Sequence, residues 1–406
     1  MKKFLLYIAL ILALPGQSVA EWEIVNNMPN PRHGLSAVTL GNRIYLIGGQ
    51  EMPGNMGQGL TTVTAFEPQT NSWDESPADL NHGRTYGFAT VYDSAIYIFG
   101  GRNQQNYISS VEKYNPETNS WSVISEMPVP REGLSGAILG DSLFLSGGSN
   151  TDSLYGTTRV GIFRLSDETW HEGPPMLHAR SAGFTAVLQN HLFTMGGYRF
   201  DPMGFMESFH HGGWEPLDDM PARIANFAGV TTGDSIIIAG GLGFRGYTNQ
   251  SFIFNQDQWE SGPALVYPRM GLSMAVSNGH IYAFGGKYHH SAVSQVEQWQ
   301  ITSVGTVPEE SGIPQSFTVQ NYPNPFNATT RIDIEIPELA HQGFIYVDIY
   351  SIDGRIVLKI QKPYSGPGQY SVPVPASHFQ ASAGGVYLYR VRAGTHTITG
   401  KMTYLP

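Results

Sequence analysis

The sequence predicts an all-β chain: a six-bladed β-propeller followed by a small Ig-like β-sandwich. Three observations carry that expectation. A glycine pair closes a short apolar strand six times, a tryptophan recurs five or seven residues behind the aromatic of the strand that follows, and the composition is short of charge. Only 14% of residues are charged, against roughly 25% in an average soluble domain, while glycine (47) and aromatics (12%) are abundant. Such a mixture suits many short strands joined by tight turns.

The glycine pairs end at Gly49 (IYLIGG), Gly101 (IYIFGG), Gly148 (LFLSGG), Gly197 (LFTMGG), Gly241 (IIIAGG) and Gly286 (IYAFGG), with spacings of 52, 47, 49, 44 and 45 residues. A period near 50 with strand-like segments in each unit marks a propeller blade. An aromatic closes the third strand of each unit (Phe66, Tyr114, Phe163, Phe209, Phe254), and Trp73, Trp121, Trp170, Trp214 and Trp259 follow it. A buried Trp removes roughly 150 to 250 Å² from water, enough to cement neighbouring sheets. The glycines suit positive-φ turns near the axis. None is followed by the Gly-Lys-Ser/Thr of a phosphate loop.

The last unit has Trp299 at the third-strand aromatic position and no outer-strand Trp after it. The missing piece stands at the other end, where Trp22 precedes Met28-Pro29 and Arg32 as Trp121 precedes Met127-Pro128 and Arg131. The N-terminal segment is therefore expected to supply the outer strand of the last blade and remove the exposed edges. Before it, Lys2-Lys3, an apolar run from Phe4 to Leu14 and Ser18-Val19-Ala20 read as a secretory signal peptide over 1–20, cleaved before Glu21. The run is too short for the ~20 residues of a bilayer span, so no transmembrane segment is expected in the mature chain. There is no Cys, hence no disulfide and no lipid-modified Cys.

In their fixed order these markers resemble the kelch repeat family over residues 21–301. Departures from the pattern are Asn226, where the other units carry Gly34, Gly87, Gly133, Gly183 and Gly271, and an altered Met-Pro near Pro77, Pro175 and Pro263. They are expected to weaken individual blades, chiefly the fifth. Residues 302–315 read as a linker rich in Pro, Ser, Gly and acidic residues. Over 316–406, QNYPNPFN (Gln320 to Asn327), VDIYSIDGRIV, GVYLYRV and TGKMTYLP resemble the C-terminal sorting domain of the type IX secretion system. The resemblance implies a translocon in the outer membrane as partner, and a secreted or cell-surface address.

Net charge of −10 argues against nucleic acid as a partner, although a local basic patch remains open. Loops after the glycine pairs and loops entering the first strands are expected on one face. There each unit places an arginine: Arg32, Arg84, Arg131, Arg180, Arg223 and Arg269. Two readings compete for them: a ring of guanidiniums that grips carboxylate or phosphate, and a set of loop-fixing groups. Tyr107, Tyr155, Tyr198, Tyr288 and His289 add flat faces and donors on the same face, with Phe200, Phe244 and Tyr247 near them. A glycan or protein ligand fits that chemistry. The residues show no His-Glu-x-x-His, no Gly-x-Ser-x-Gly and no metal constellation, so neither catalytic residues, metal nor cofactor is assigned. His289-His290 are adjacent and point apart on an extended segment. Without Cys, the cross-linked radical copper site of galactose oxidase-like kelch enzymes is excluded. The resemblance implies one enzymatic alternative, a sugar-modifying activity such as that of sialic acid mutarotases or epimerases, for which Glu132 beside Arg131 is the available carboxylate.

Overall fold

A computed structural model describes residues 21–301 except 53–56, 105, 211, 234 and 256–257, and further on 317–322, 329–336, 343–351, 355–364, 368–375, 379, 385–393 and 396–404. The signal peptide at 1–20, the linker at 302–315 and most of the NYPNPFN segment lie outside the described residues. The described residues contain strands and turns and no helix. The chain divides into two compact units, Met1–Val304 and Gly305–Pro406.

In the first unit each repeat folds into an antiparallel four-stranded sheet. In blade 2 the order from axis to rim is Phe88–Tyr92, Ala95–Phe99, Ser110–Asn115, Ser120–Glu126. The innermost strands of successive blades touch in sequence order, and that of blade 6, Met270–Ser277, returns to that of blade 1, Ser36–Leu40. The ring is sealed as expected: Glu23–Asn27 pairs antiparallel with Gln295–Gln300, Glu23 opposite Gln298. Trp22 packs on Trp299 at 5.8 Å between ring centroids, repeating the Phe66–Trp73 (4.9 Å) and Tyr114–Trp121 (5.1 Å) pairs of blades 1 and 2. Several of these tryptophans also reach the preceding blade: Trp73 Nε1 donates to Asn27 O, Trp121 Nε1 to Ala78 O and Trp214 Nε1 to Pro174 O.

At the entry to each innermost strand one residue takes positive φ: Gly34, Tyr86, Gly133, Ala182, Asn226 and Gly271. Two glycines of the sequence pattern, Gly87 and Gly183, stand one residue further on. The N–H of each of these six residues donates to the carbonyl of its counterpart in the preceding blade: Tyr86 to Gly34, Gly133 to Tyr86, Ala182 to Gly133, Asn226 to Ala182, Gly271 to Asn226 and Gly34 to Gly271, at 2.7–2.9 Å. These bonds form a closed hoop around the axis. Asn226 serves the hoop as glycine does, and blade 5 has its full four strands. The glycine pairs lie where one blade meets the next: Gly49 N donates to Arg84 O at 2.9 Å, and a Cβ on Gly48 would fall 2.5 Å from that same oxygen. Beside the hoop, Phe88 and Phe184 help line an axial cavity of about 210 Å³, and the faces they press on are bare because Gly136 and Gly229 have no Cβ to collide with them.

The second unit holds two antiparallel sheets, one of Thr318–Tyr322, Thr329–Ile336 and Gly368–Pro375, the other of Ile356–Tyr364, Gly343–Ser351, Gly385–Ala393 and His396–Tyr404. Alternate residues Ile332, Ile334 and Ile336 of one sheet and Ile345, Val347 and Ile349 of the other belong to a single buried core. This is the period of two that a half-buried strand requires.

Candidate functional site

Five of the six arginines expected at the mouth are inside the blades. Arg32, Arg84, Arg131, Arg180 and Arg269 are 1%, 1%, 2%, 2% and 0% exposed. In four of them Nη1 donates to the carbonyl of the first glycine of the pair: Arg84 to Gly100 O (2.9 Å), Arg131 to Gly147 O (2.6 Å), Arg180 to Gly196 O (2.8 Å) and Arg269 to Gly285 O (3.0 Å). Arg32 instead donates to the hydroxyls of Thr62 and Thr64, both at 2.7 Å. The ligand-gripping ring is therefore corrected: these guanidiniums lock the glycine turns from within. Burial lowers Arg32 and Arg131 to about 10, which leaves both charged at neutral pH.

Arg223 is exposed for a different reason. Ile224 O, not Arg223 O, accepts from the second glycine of the preceding pair, Gly197, at 2.9 Å, so Ile224 occupies the structural arginine position of blade 5. The sequence alignment of the six arginines is one residue out there, and Arg223 lies against Phe244 on the surface.

A second alternation follows from these buried charges. In blades 2, 4 and 6 the guanidinium meets a carboxylate on the third strand: Arg84 with Glu112, Arg180 with Glu207 (2.5 Å) and Arg269 with Glu297 (2.5 Å). Each carboxylate also accepts two main-chain N–H groups, from Asn81 and His82, Leu177 and His178, and Val266 and Tyr267. Blades 1, 3 and 5 have Thr64, Gly161 and Phe252 at the carboxylate position, and Pro29, Pro128 and Pro221 where Asn81, Leu177 and Val266 stand. Where the acceptor is missing, the donor is missing too. The altered Met-Pro motifs are thus the partners of a buried glutamate.

The axial mouth is built from other residues. Tyr86 extends from blade 2 toward blades 1 and 6: a Cβ on Gly271 would stand 3.1 Å from its hydroxyl, and one on Gly34 3.1 Å from its ring. Its hydroxyl is 3.2 Å from His33 Nδ1. His33 is 4% exposed, and burial with the neighbouring Lys287 pushes its pKa down to about 4. Beside Tyr86, Arg102 Nη1 lies 3.3 Å from Glu132 Oε1, with side chains 34% and 15% exposed. Burial raises the Glu132 carboxyl, and Arg102 opposes the rise. Tyr107 pairs main chain to main chain with Arg102 and shares the field of Glu132. Across the mouth, Tyr247, Tyr288 and His289 form a ring cluster with centroids 4.3–5.4 Å apart, and Tyr247 contributes to the field at Tyr86. Of the aromatics expected on this face, Tyr107, Tyr288 and His289 border the mouth. Tyr155 packs instead on Phe200 at 4.8 Å, and Tyr198 pairs with Pro202 and Ser181 in the loop of blade 4. Tyr86, His33 and Arg102 were not anticipated. The one sequence signal for Tyr86 is that Gly87 comes three residues after its arginine where Gly34 and Gly133 come two after theirs. Among the described residues no group of three or more His, Asp or Glu side chains is placed to hold a metal ion.

A six-bladed ring with a polar, aromatic-rimmed axial mouth defines a propeller built to present loops on one face. Comparison with known proteins adds the family. Residues 9–197 match the model of the KLHDC2/KLHL20/DRC7 Kelch-repeats domain, 268–303 that of the Kelch motif, and 320–404 that of the Secretion system C-terminal sorting domain. Similar proteins include mouse Kelch-like protein 36, 27% identical over 273 residues that make up 63% of this chain and 44% of the relative. Alpha-scruin of Limulus polyphemus is 29% identical over 183 residues, 43% of this chain and 20% of the relative. The chain thus spans less than half the length of these relatives. The solved structure of YjhT aligns with a TM-score of 0.58 and 17% identity, covering 70% of this chain and 98% of that one. The protein is a kelch-repeat protein carrying a type IX secretion sorting domain, exported to the cell surface or beyond.

Proposed function

We propose that the propeller is an exported binding module that takes the end of a glycan in its axial mouth. The observation that carries this reading is the part-buried Arg102–Glu132 pair, which acts on the hydroxyls of both Tyr86 and Tyr107. A guanidinium and a carboxylate side by side give donors and acceptors to vicinal hydroxyls, and the aromatic faces cover the apolar side of a sugar ring. Unlike the buried Arg–Glu pairs of blades 2, 4 and 6, this pair has side-chain surface open to solvent. A glycan array probed with the chain from Glu21 onward tests the reading. Glycan binding that Glu132→Gln and Tyr107→Ala abolish without lowering the melting temperature supports it. An array without a glycan hit, or binding indifferent to both changes, refutes it.

A second reading, an enzyme that modifies sugars, draws on the raised Glu132 carboxyl, which carries its proton at higher pH than an ordinary glutamate and stands in the field of the Tyr86 hydroxyl. It requires faster anomer exchange, read by proton NMR, on a panel that includes sialic acid. Exchange at the uncatalysed rate removes it.

A further inference from the structure

Blades 2, 4 and 6 each carry a finished carboxylate site, and blade 3 carries the same site without the carboxylate. Arg131 is as buried as its counterparts, at 2% exposure, but Gly161 stands where Glu112, Glu207 and Glu297 stand. Both hydrogen bonds of the Arg131 guanidinium leave Nη1, to Gly147 O (2.6 Å) and Arg159 O (3.2 Å). Its Nε is buried without a partner, as are those of Arg32, Arg180 and Arg269; what sets Arg131 apart is Nη2, which has no hydrogen bond among the described residues. The other blades resolve the same problem internally: Thr62 and Thr64 bond Arg32, and blade 5 replaces the charge with Ile224 beside Phe252. Blade 3 alone among the five with this arginine leaves the guanidinium without a counter-group on its Nη2.

In place of the missing side chain is a cavity of about 230 Å³ lined by Met127, Val129, Val160 and Trp170, with Arg131 and Arg159 at its polar side and His171 and Glu172 at its solvent edge. The Gly161 backbone does not demand glycine. A Cβ there would lie 3.4 Å from Arg131 Nη2 and from Trp170, an ordinary contact. Arg159 is engaged at the surface by Glu172 (2.8 Å), whose side chain is 68% exposed; Glu172 acts on Arg131 only through its field and gives it no hydrogen bond. A buried charge without a partner is costly, and the remedy in the sister blades is a carboxylate.

We propose that this cavity is a binding site for the carboxylate of a small organic acid with an apolar body. The carboxylate takes the place of the sister blades' glutamate on Arg131 Nη2, and Val129 N–H stands where His82, His178 and Tyr267 donate. Met127, Val160 and Trp170 enclose the body. Pro128 leaves the site with one main-chain donor where its sisters have two, which favours an exchangeable ligand over a permanent fixture. The carboxylate can come from a free acid or from the C-terminus of a peptide chain, and the probes below separate the two sources.

Titration of the mature full chain with isovalerate, N-acetyl-leucine and the neutral isovaleramide, followed by calorimetry and thermal melting, tests the site. The free acid is expected to bind saturably in the millimolar range, with the amide at least tenfold weaker. Binding of N-acetyl-leucine without isovalerate supports the same site with a peptide terminus as its source. Gly161→Glu supplies the carboxylate from within: it should raise the melting temperature without ligand and weaken the acid at least tenfold. Equal effects of acid and amide, or an unchanged response in Gly161→Glu, would overturn the proposal and leave water as the occupant. Because Gly161→Glu is expected to stabilise the fold, the outcome does not depend on a variant that unfolds.

Discussion

Replacing Arg269 by Ile, Glu297 by Phe, and both together should reveal how blade 6 and blade 5 solve one structural problem in two ways. Arg269 and Glu297 are both fully buried, joined at 2.5 Å, and Glu297 also accepts from Val266 N and Tyr267 N at 2.6 and 3.1 Å. Removing either partner strands a buried charge, an effect of about 3–5 kcal/mol. The double change copies Ile224 and Phe252 of blade 5, which share one apolar cluster. It removes both charges at once, and the remaining loss is confined to main-chain groups that each lose a partner, about 1 kcal/mol apiece. The double variant is therefore expected to be less destabilised than the sum of the single ones by about 2 kcal/mol or more. Urea unfolding at neutral pH, compared across the four proteins, measures this directly. Strict additivity, or single changes costing less than about 1 kcal/mol, would refute the account of these arginines as structural charges.

Three further outcomes are expected. Deleting residues 21–27 removes the rim strand of blade 6 and Trp22, 4% exposed, and should replace one cooperative melt by a broad one with association through the bared edge, read by calorimetry and light scattering. His33 is held near 4 against an ordinary 6.5, so above pH 6.5 its contribution is fully present. As pH falls from 6.5 to about 4 the unfolded chain takes a proton that the folded chain refuses, and stability drops by about 3 kcal/mol. His33→Gln should flatten the pH dependence of unfolding in that window, and an unchanged profile would sink the assignment. In a host with type IX secretion, a chain lacking residues 320–404 should stop in the periplasm while the full chain reaches the medium or surface, as fractionation and immunoblotting would record.

The blades were legible because their signals repeat: glycine pair, aromatic and tryptophan recur wherever neighbouring sheets meet. Closure through Trp22 and Trp299 was legible for the same reason, as an element missing at one end and surplus at the other. The arginines misled because a recurrent charge beside a loop reads alike whether the side chain turns outward to solvent or inward to a carbonyl. Arg223 shows the limit most sharply, since one residue separates the exposed position from the buried one that Ile224 fills. The pairing of Glu112, Glu207 and Glu297 with the absence of proline at 81, 177 and 266 was written in the sequence, but the two positions lie about 30 residues apart and only the sheet register joins them. Tyr86 was hidden because a left-handed tyrosine has no sequence mark beyond the displaced glycine after it.

The hoop of six main-chain hydrogen bonds around the axis has a consequence for how this surface changes over time. A linear ladder frays from its ends, and a circle has none, so each link is held by the other five. Because every link is peptide to peptide, side chains near the axis are released from holding the ring together. Tyrosine, alanine and asparagine can stand at three of its six stations beside the three glycines. The loops above can then lengthen, lose or gain groups, and trade one ligand for another while the wheel beneath them stays the same.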